Sequence, residues 1–149
     1  QEVPLIPAGS KELRPHRMAI GLYDIEGDAV VLRKSLELDV AGASTEVTEF
    51  KGEKVADLVV LNDRDLSYGK LRFDDRSIAT LKTHLGKIQN PLTRALAGSA
   101  TWDMLRDGEL AASGYVPMVL NATTTPRSPW LRWPRPSAPA WPRPRWPAR

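Results

Sequence analysis

Apolar residues follow two different periods along this chain. From His16 to Phe50 the strand-like runs alternate, with apolar residues at every second position. In His16–Tyr23 the alternation puts Met18, Ile20 and Leu22 on one face. Asp24 to Asp28 carries turn chemistry, and Gly27 can take a positive φ. A second run has Val30, Leu32, Leu36, Leu38 and Val40 on one parity, so the two runs predict a hairpin. Ala41–Ser44 reads as a turn, Thr45–Phe50 as another alternating strand, and Asp57–Leu61 as a continuous apolar strand. Asn62–Asp65 reads as a polar, solvated loop and Tyr68–Phe73 as a last strand. Pro4–Pro7 is an extended lead-in. About six short strands at these spacings predict a small antiparallel β-sandwich.

From Asp74 onward the period changes to 3.6. Asp74-Asp75 offers an N-cap, and Ile78, Leu81, Leu85 and Ile88 share a helical stripe. Asn90-Pro91 is a second start signal, a capping residue followed by proline at the first helical position. Leu92, Ala95, Leu96, Ser99 and Trp102 are the expected apolar face of that helix, and Gly108 its stop. A third, weaker helix is predicted over 113–120, against the presence of Pro117. The expected fold class is therefore α+β: a β-sandwich domain over 1–73, then the start of a helical domain over 74–121. Three helices with such wide apolar faces would not cover one another, which predicts a larger helical domain around them.

Charge separates the last segment from the rest. Residues 1–121 hold 15 basic and 18 acidic residues, whereas 122–149 hold six Arg and no acid. Those last 28 residues also contain eight of the 13 prolines and four of the five tryptophans. Proline removes backbone donors and fixes φ, so neither helix nor sheet is predicted there. Arg interleaved with Trp130, Trp133, Trp141 and Trp146 could bind polyanions or a membrane interface. The abrupt change at Ala122 and the Ala/Pro/Arg/Trp content instead favour a GC-rich region read out of frame, giving a disordered tail.

The chemistry the residues allow is narrow. With no cysteine there is no disulfide, thiolate metal site or thiol nucleophile. His16 and His84 fall in different predicted elements, too far apart in type of element for the paired imidazoles of a zinc peptidase helix, and each reads as a surface or packing histidine. No Gly-x-Ser-x-Gly elbow and no phosphate loop is present. Asn62–Asp65 lacks the glycine and the distal acid of a calcium loop. Asp24, Glu26 and Asp28, or Asp63 and Asp65, read as solvated turn acids and not as acid/base pairs. Asn121-Ala122-Thr123 matches a glycosylation acceptor. Gln1-Glu2-Val3-Pro4 has no signal-peptide character, and no apolar run nears the ~20 residues of a membrane span, so a cytoplasmic setting is expected. The sites predicted are accordingly catalytic none, cofactor-binding none and metal none.

One longer stretch carries a resemblance. Asp57-Leu58-Val59-Val60-Leu61-Asn62-Asp63-Arg64-Asp65-Leu66-Ser67-Tyr68-Gly69-Lys70-Leu71-Arg72-Phe73-Asp74 resembles the strand–loop–strand of zinc aminopeptidases related to aminopeptidase N, the gluzincin aminopeptidases. Arg76–Leu81, His84-Leu85, Leu92–Leu96 and Trp102–Glu109 resemble the first helices of that family's C-terminal domain, and Arg14–Asp24 resembles the preceding β-domain. The match runs in order over roughly 1–120. It implies a sandwich that spaces a thermolysin-like catalytic domain from a large helical domain, which limits substrate access. The family's His-Glu-x-x-His zinc site, its downstream Glu and its Gly-x-Met-x-Asn segment have no counterpart in this sequence. The resemblance therefore implies a non-catalytic part of a peptide-cleaving enzyme. Its zinc would sit in the parent's catalytic domain, and its partners would be the parent's other domains and, through them, peptide substrates. A free-standing β-sandwich binding module is the alternative, followed by polyanion or membrane binding through the tail.

Overall fold

Alternation from His16 builds two long strands, β1 (His16–Glu26) and β2 (Ala29–Val40), in the computed structural model, which describes Leu13 and residues 15–123. They pair antiparallel across the two-residue loop Gly27-Asp28, where Gly27 takes φ +60°. Positive φ at the first loop position only is the pattern that matches strand twist in a tight hairpin. A short third strand, β3 (Leu58–Leu61), pairs antiparallel with the other edge of β1, giving the order β2-β1-β3. Three helices follow: α1 (Asp75–His84), α2 (Pro91–Arg106) and α3 (Ala112–Thr123). The α+β class, strands first and helices after, is the observed one.

Both faces of β1 are covered, and a bulge makes this possible. Leu22 pairs with Lys34 but Tyr23 pairs with Leu32, so Arg33 is an extra residue in β2. An extra residue reverses which parity faces which side. Val30 and Leu32 therefore share a face with Tyr23 and Ile25, whereas Leu36 and Leu38 share the opposite face with Ile20 and Met18. The single-parity run expected to serve one face serves two. The helices pack on the Tyr23 face. Their shared core contains Tyr23, Val30, Leu58 and Val60 from the sheet, with Ile78, Leu81, Leu85 and Ile88 beneath. Met104, Leu110 and Met118 complete it from the later helices.

α1 crosses under the sheet from one edge to the other. At its start, the Ser77 hydroxyl accepts the backbone N–H of Val59 (3.0 Å), an edge donor of β3. Past its end, Ile88 forms a parallel bridge with Val30 on the outer edge of β2. Asp74 caps the helix by accepting from the Ser77 N–H (2.8 Å), and Asn90 caps α2 by accepting from Leu92 N–H (2.9 Å), as the sequence predicts. α2 ends where Gly108 and Glu109 donate back to Leu105 and Met104. α3 is longer than expected and keeps Pro117 inside it. Pro117 carries no N–H, so Ser113 C=O loses its helical donor.

Several expected elements differ. Thr45–Phe50 is not a strand: Thr45 Oγ1 bonds both the N–H and the C=O of Ala41 (3.1 and 3.0 Å), and Thr48–Phe50 forms a 3-10 turn. Such local side-chain bonds compete with a ladder. The segment lies across the second face of the sheet, where Lys34 Nζ sits 5.7 Å from the Phe50 ring and 2.7 Å from the Glu53 carboxylate. Tyr68–Phe73 forms no strand; it runs beside the end of α2, where Lys70 and Arg72 meet Asp107. Among the described residues there is thus one three-stranded sheet and no second one. Pro4–Pro7 and the segment 124–149 lie outside the described residues.

The largest correction concerns α2. Its buried residues are Thr93, Arg94, Ala97, Ala100, Thr101 and Met104. The predicted apolar stripe points the other way: Leu92 is 43% and Trp102 48% exposed. Small and hydroxyl-bearing residues fill the inward side, where α2 packs against α3 and the Leu85–Lys87 turn. Buried Thr101 returns its hydroxyl to the carbonyl of Ala97 (2.9 Å), and Arg94 donates to the carbonyl of Ile88 (2.5 Å). Hydrophobicity alone selects the wrong face here. Ala97→Leu should therefore destabilise the protein by about 1–3 kcal/mol through overpacking, whereas Leu92→Gln should change stability by no more than about 0.5 kcal/mol; urea titrations followed by circular dichroism compare the two.

Candidate functional site

The strongest concentration of buried polar groups lies where β1, the loop after β3, and α2 meet. Tyr23, Asp63 and Thr93 are 2%, 4% and 0% exposed. The Tyr23 hydroxyl donates to the Asp63 carboxylate, with both carboxylate oxygens at 2.8 Å. Thr93 Oγ1 donates to Asp63 Oδ1 at 2.7 Å and lies 3.0 Å from the Tyr23 oxygen. Two hydroxyl protons thus converge on one carboxylate, closing a triangle across three segments of chain.

Local sequence places each group. Asn62 adopts φ +55°, which asparagine tolerates, and so turns the chain sharply at the end of β3. Its side chain closes the loop by accepting from Ser67 N–H (3.0 Å) and donating to Ser67 C=O. The turn directs Asp63 inward, and its N–H still pairs with Ala19 C=O (3.0 Å) as though the strand continued. Gly21 supplies the space. A Cβ there would lie 2.7 Å from Tyr23 Cε2 and 2.8 Å from Asp63 Oδ2. Asn90 and Pro91 start α2 so that Thr93 sits in its first turn. Burial pushes the Tyr23 phenol well above its ordinary pKa, and the adjacent Asp63 raises it further, so it remains a donor. All three side chains are nearly inaccessible, so the triangle joins the layers from within.

A second junction lies at the start of β3. Asp57 accepts the Ile25 N–H at Oδ2 (3.0 Å) and pairs with Arg76 at Oδ1 (2.7 Å). Its carbonyl accepts the Thr80 hydroxyl (2.6 Å), so one residue binds β1 and α1 together. The Ile25 N–H, then Arg76, hold the carboxyl below its usual range.

The residues weighed from sequence fall as follows. His16 opens β1 opposite Val40, and His84 ends α1 with Nδ1 2.7 Å from Thr83 Oγ1. The two imidazoles belong to different layers and share no site, so the donors here do not fit zinc. Among the described residues no three His, Asp or Glu side chains cluster as metal ligands would. Asp24 pairs with Arg33 (3.3 Å) and Asp28 with Lys87. Asp63 and Asp65 do not face each other. Asp65 is exposed at φ +54°, and Asp63, expected in a solvated turn, is buried together with Asn62. The signal missed is Gly21, a glycine inside an otherwise apolar strand, which marks a close approach. Asn121 lies within α3.

Fold and junctions together define an α+β module whose polar interior ties a sheet to a helical layer. No family model matches the chain. It is 46% identical over 125 residues, 81% of its length, to aminopeptidase N of Streptomyces lividans, and it spans 15% of that protein. The similarity relates the chain to a segment of an aminopeptidase N.

Two outcomes test the junctions. Tyr23→Phe leaves the buried Asp63 carboxylate with one donor fewer and should cost about 1.5–3 kcal/mol of folding stability, read by urea denaturation. The depressed Asp57 carboxyl binds its proton less readily folded than unfolded. Its stabilising contribution is complete above the ordinary carboxylate pKa of about 4 and is lost as pH falls through the lower folded value. Asp57→Asn should flatten the fall in stability below about pH 4.5; the pH series of denaturation midpoints for the two proteins measures it.

Proposed function

We propose that this chain is a supporting, non-catalytic part of an aminopeptidase N-like zinc enzyme, a spacer between a catalytic domain and a helical domain that limits access of peptide substrates. The reading places the chain in a cytoplasmic enzyme whose zinc, with its capacity to activate water, resides in the parent's catalytic domain. No residue of this chain is assigned a step in that reaction. What it supplies is a fixed angle between sheet and helices.

The observation that carries the reading is the 46% identity to the Streptomyces aminopeptidase N, combined with the two-faced character of α2. Its polar, small-residue side is turned to the interior, where Thr93 meets Tyr23 and Asp63. Its apolar side, with α3, forms an open groove of about 350 Å³ lined by Leu85, Trp102, Tyr115, Val119 and Ala122. The Trp102 and Tyr115 rings meet there at 5.7 Å. Val116 and Leu120 are also more than half exposed. Apolar surface of that extent is characteristic of a contact face, and it suits further helices of a larger helical domain.

The purified chain, supplemented with zinc, should release no coumarin from aminoacyl-coumarin substrates, and the reading frame running into Gln1 should encode His-Glu-x-x-His. Steady release by the pure chain, or an upstream frame without that motif, would reject the proposal.

A further inference from the structure

The outward side of α2 carries a heptad ridge. Leu92, Ala95, Ser99 and Trp102 follow at spacings of three, four and three residues, so they share one line along the helix. None of the four is buried, and Leu92 and Trp102 are among the most exposed large apolar side chains of the helical layer. In size the ridge reads large, small, small, large. That order is the same from either end, so the ridge matches itself when a second copy lies antiparallel to it.

We propose that the occupant of this face is a second copy of the chain, in a twofold dimer centred on an antiparallel α2–α2 pair. A twofold interface requires a patch that complements itself. In the register set by the ridge, Leu92 of one copy faces Trp102 of the other, and Ala95 faces Ser99. The small residues at the middle let the two backbones approach, and the large residues at the ends interlock. Leu92 enters the other copy's open groove beside Trp102, where Gly98 and Ser99 leave room and Tyr115 supplies a further apolar wall. Charge selects the same arrangement. Antiparallel helices set each positive N-terminal end beside a negative C-terminal end. The first turn of α2 has no acid of its own, and this register brings Asp103 of the other copy beside it. Asp103 meets its own Arg106 through Oδ1 at 3.6 Å, which leaves Oδ2 to face that helix end. α3, which flanks the ridge, carries no charged residue to repel its copy. The inference does not rest on the enzyme assignment; helices of a larger helical domain packed on this face would exclude the second copy.

At about 100 μM the full chain should sediment at twice its 16.5 kDa mass, with a Kd in the micromolar range or tighter. Ser99→Glu sets two carboxylates beside the twofold axis and should weaken association roughly tenfold or more. Val55→Glu, at an exposed position outside the helices, should leave it unchanged. Circular dichroism melts verify that both variants fold like the parent chain. Register is read with cysteines, of which the chain has none. In an equal mixture of Ala95→Cys and Ser99→Cys chains, mild oxidation should link position 95 to position 99 across copies about fivefold faster than like to like. A chain that stays monomeric at that concentration overturns the proposal. So does a dimer that Ser99→Glu leaves intact, which would move the contact to another surface such as the groove over Met18, Ile20 and Leu61 on the sheet's second face. Like-to-like linkage outpacing the mixed one overturns it as well.

Discussion

A carboxylate almost wholly withdrawn from solvent requires donors from the protein, and Asp63 finds them on two elements, β1 and α2. Tyr23 comes from the central strand and Thr93 from the first turn of α2. Losing either donor leaves a charged acceptor partly unsatisfied in a low-dielectric interior, which is far more costly than losing an exposed ion pair. The angle between sheet and helix is therefore set by hydrogen-bond geometry as well as by apolar contact. Apolar surfaces tolerate sliding, whereas a triangle with sides of 2.7–3.0 Å does not.

The same logic repeats at the sheet's exposed margin. β3 is only four residues long and has β1 on one side alone. Its free N–H at Val59 is taken by a serine of α1, and Asp57, one residue before the strand, accepts from the backbone of β1 and from two side chains of α1. An edge satisfied by helix side chains does not recruit another strand. Helix and sheet are thus coupled by polar bonds at each end of β3, with Leu58 and Val60 fully buried between them.

A relative that the chain matches is an aminopeptidase N, of which it spans 15%. α2 illustrates the division of labour: one side bonds inward to the sheet, and the other presents Leu92 and Trp102 outward. The open α2–α3 groove and the groove on the sheet's second face leave the molecule with apolar surface on both layers.

Local signals in the sequence determined the order of elements, the hairpin turn at Gly27, the caps at Asp74 and Asn90, the stripe of α1 and the absence of a paired-histidine metal motif. These depend on neighbours within one turn of helix or one step of strand, so a linear pattern contains them. The tertiary structure alone decided that Asp63 is buried, that Thr93 and Thr101 are core residues, and that Thr45–Phe50 covers a face and adds no strand. It also decided that the even-numbered residues of β2 divide between two faces. Each of these depends on a partner far along the chain: Asp63 on residues 40 and 30 positions away, and the faces of β2 on one extra residue whose effect exists only against β1. A hydrophobic pattern reports how much a side chain avoids water, but not which neighbour removes the water, and for polar groups that neighbour is the whole of the energetics.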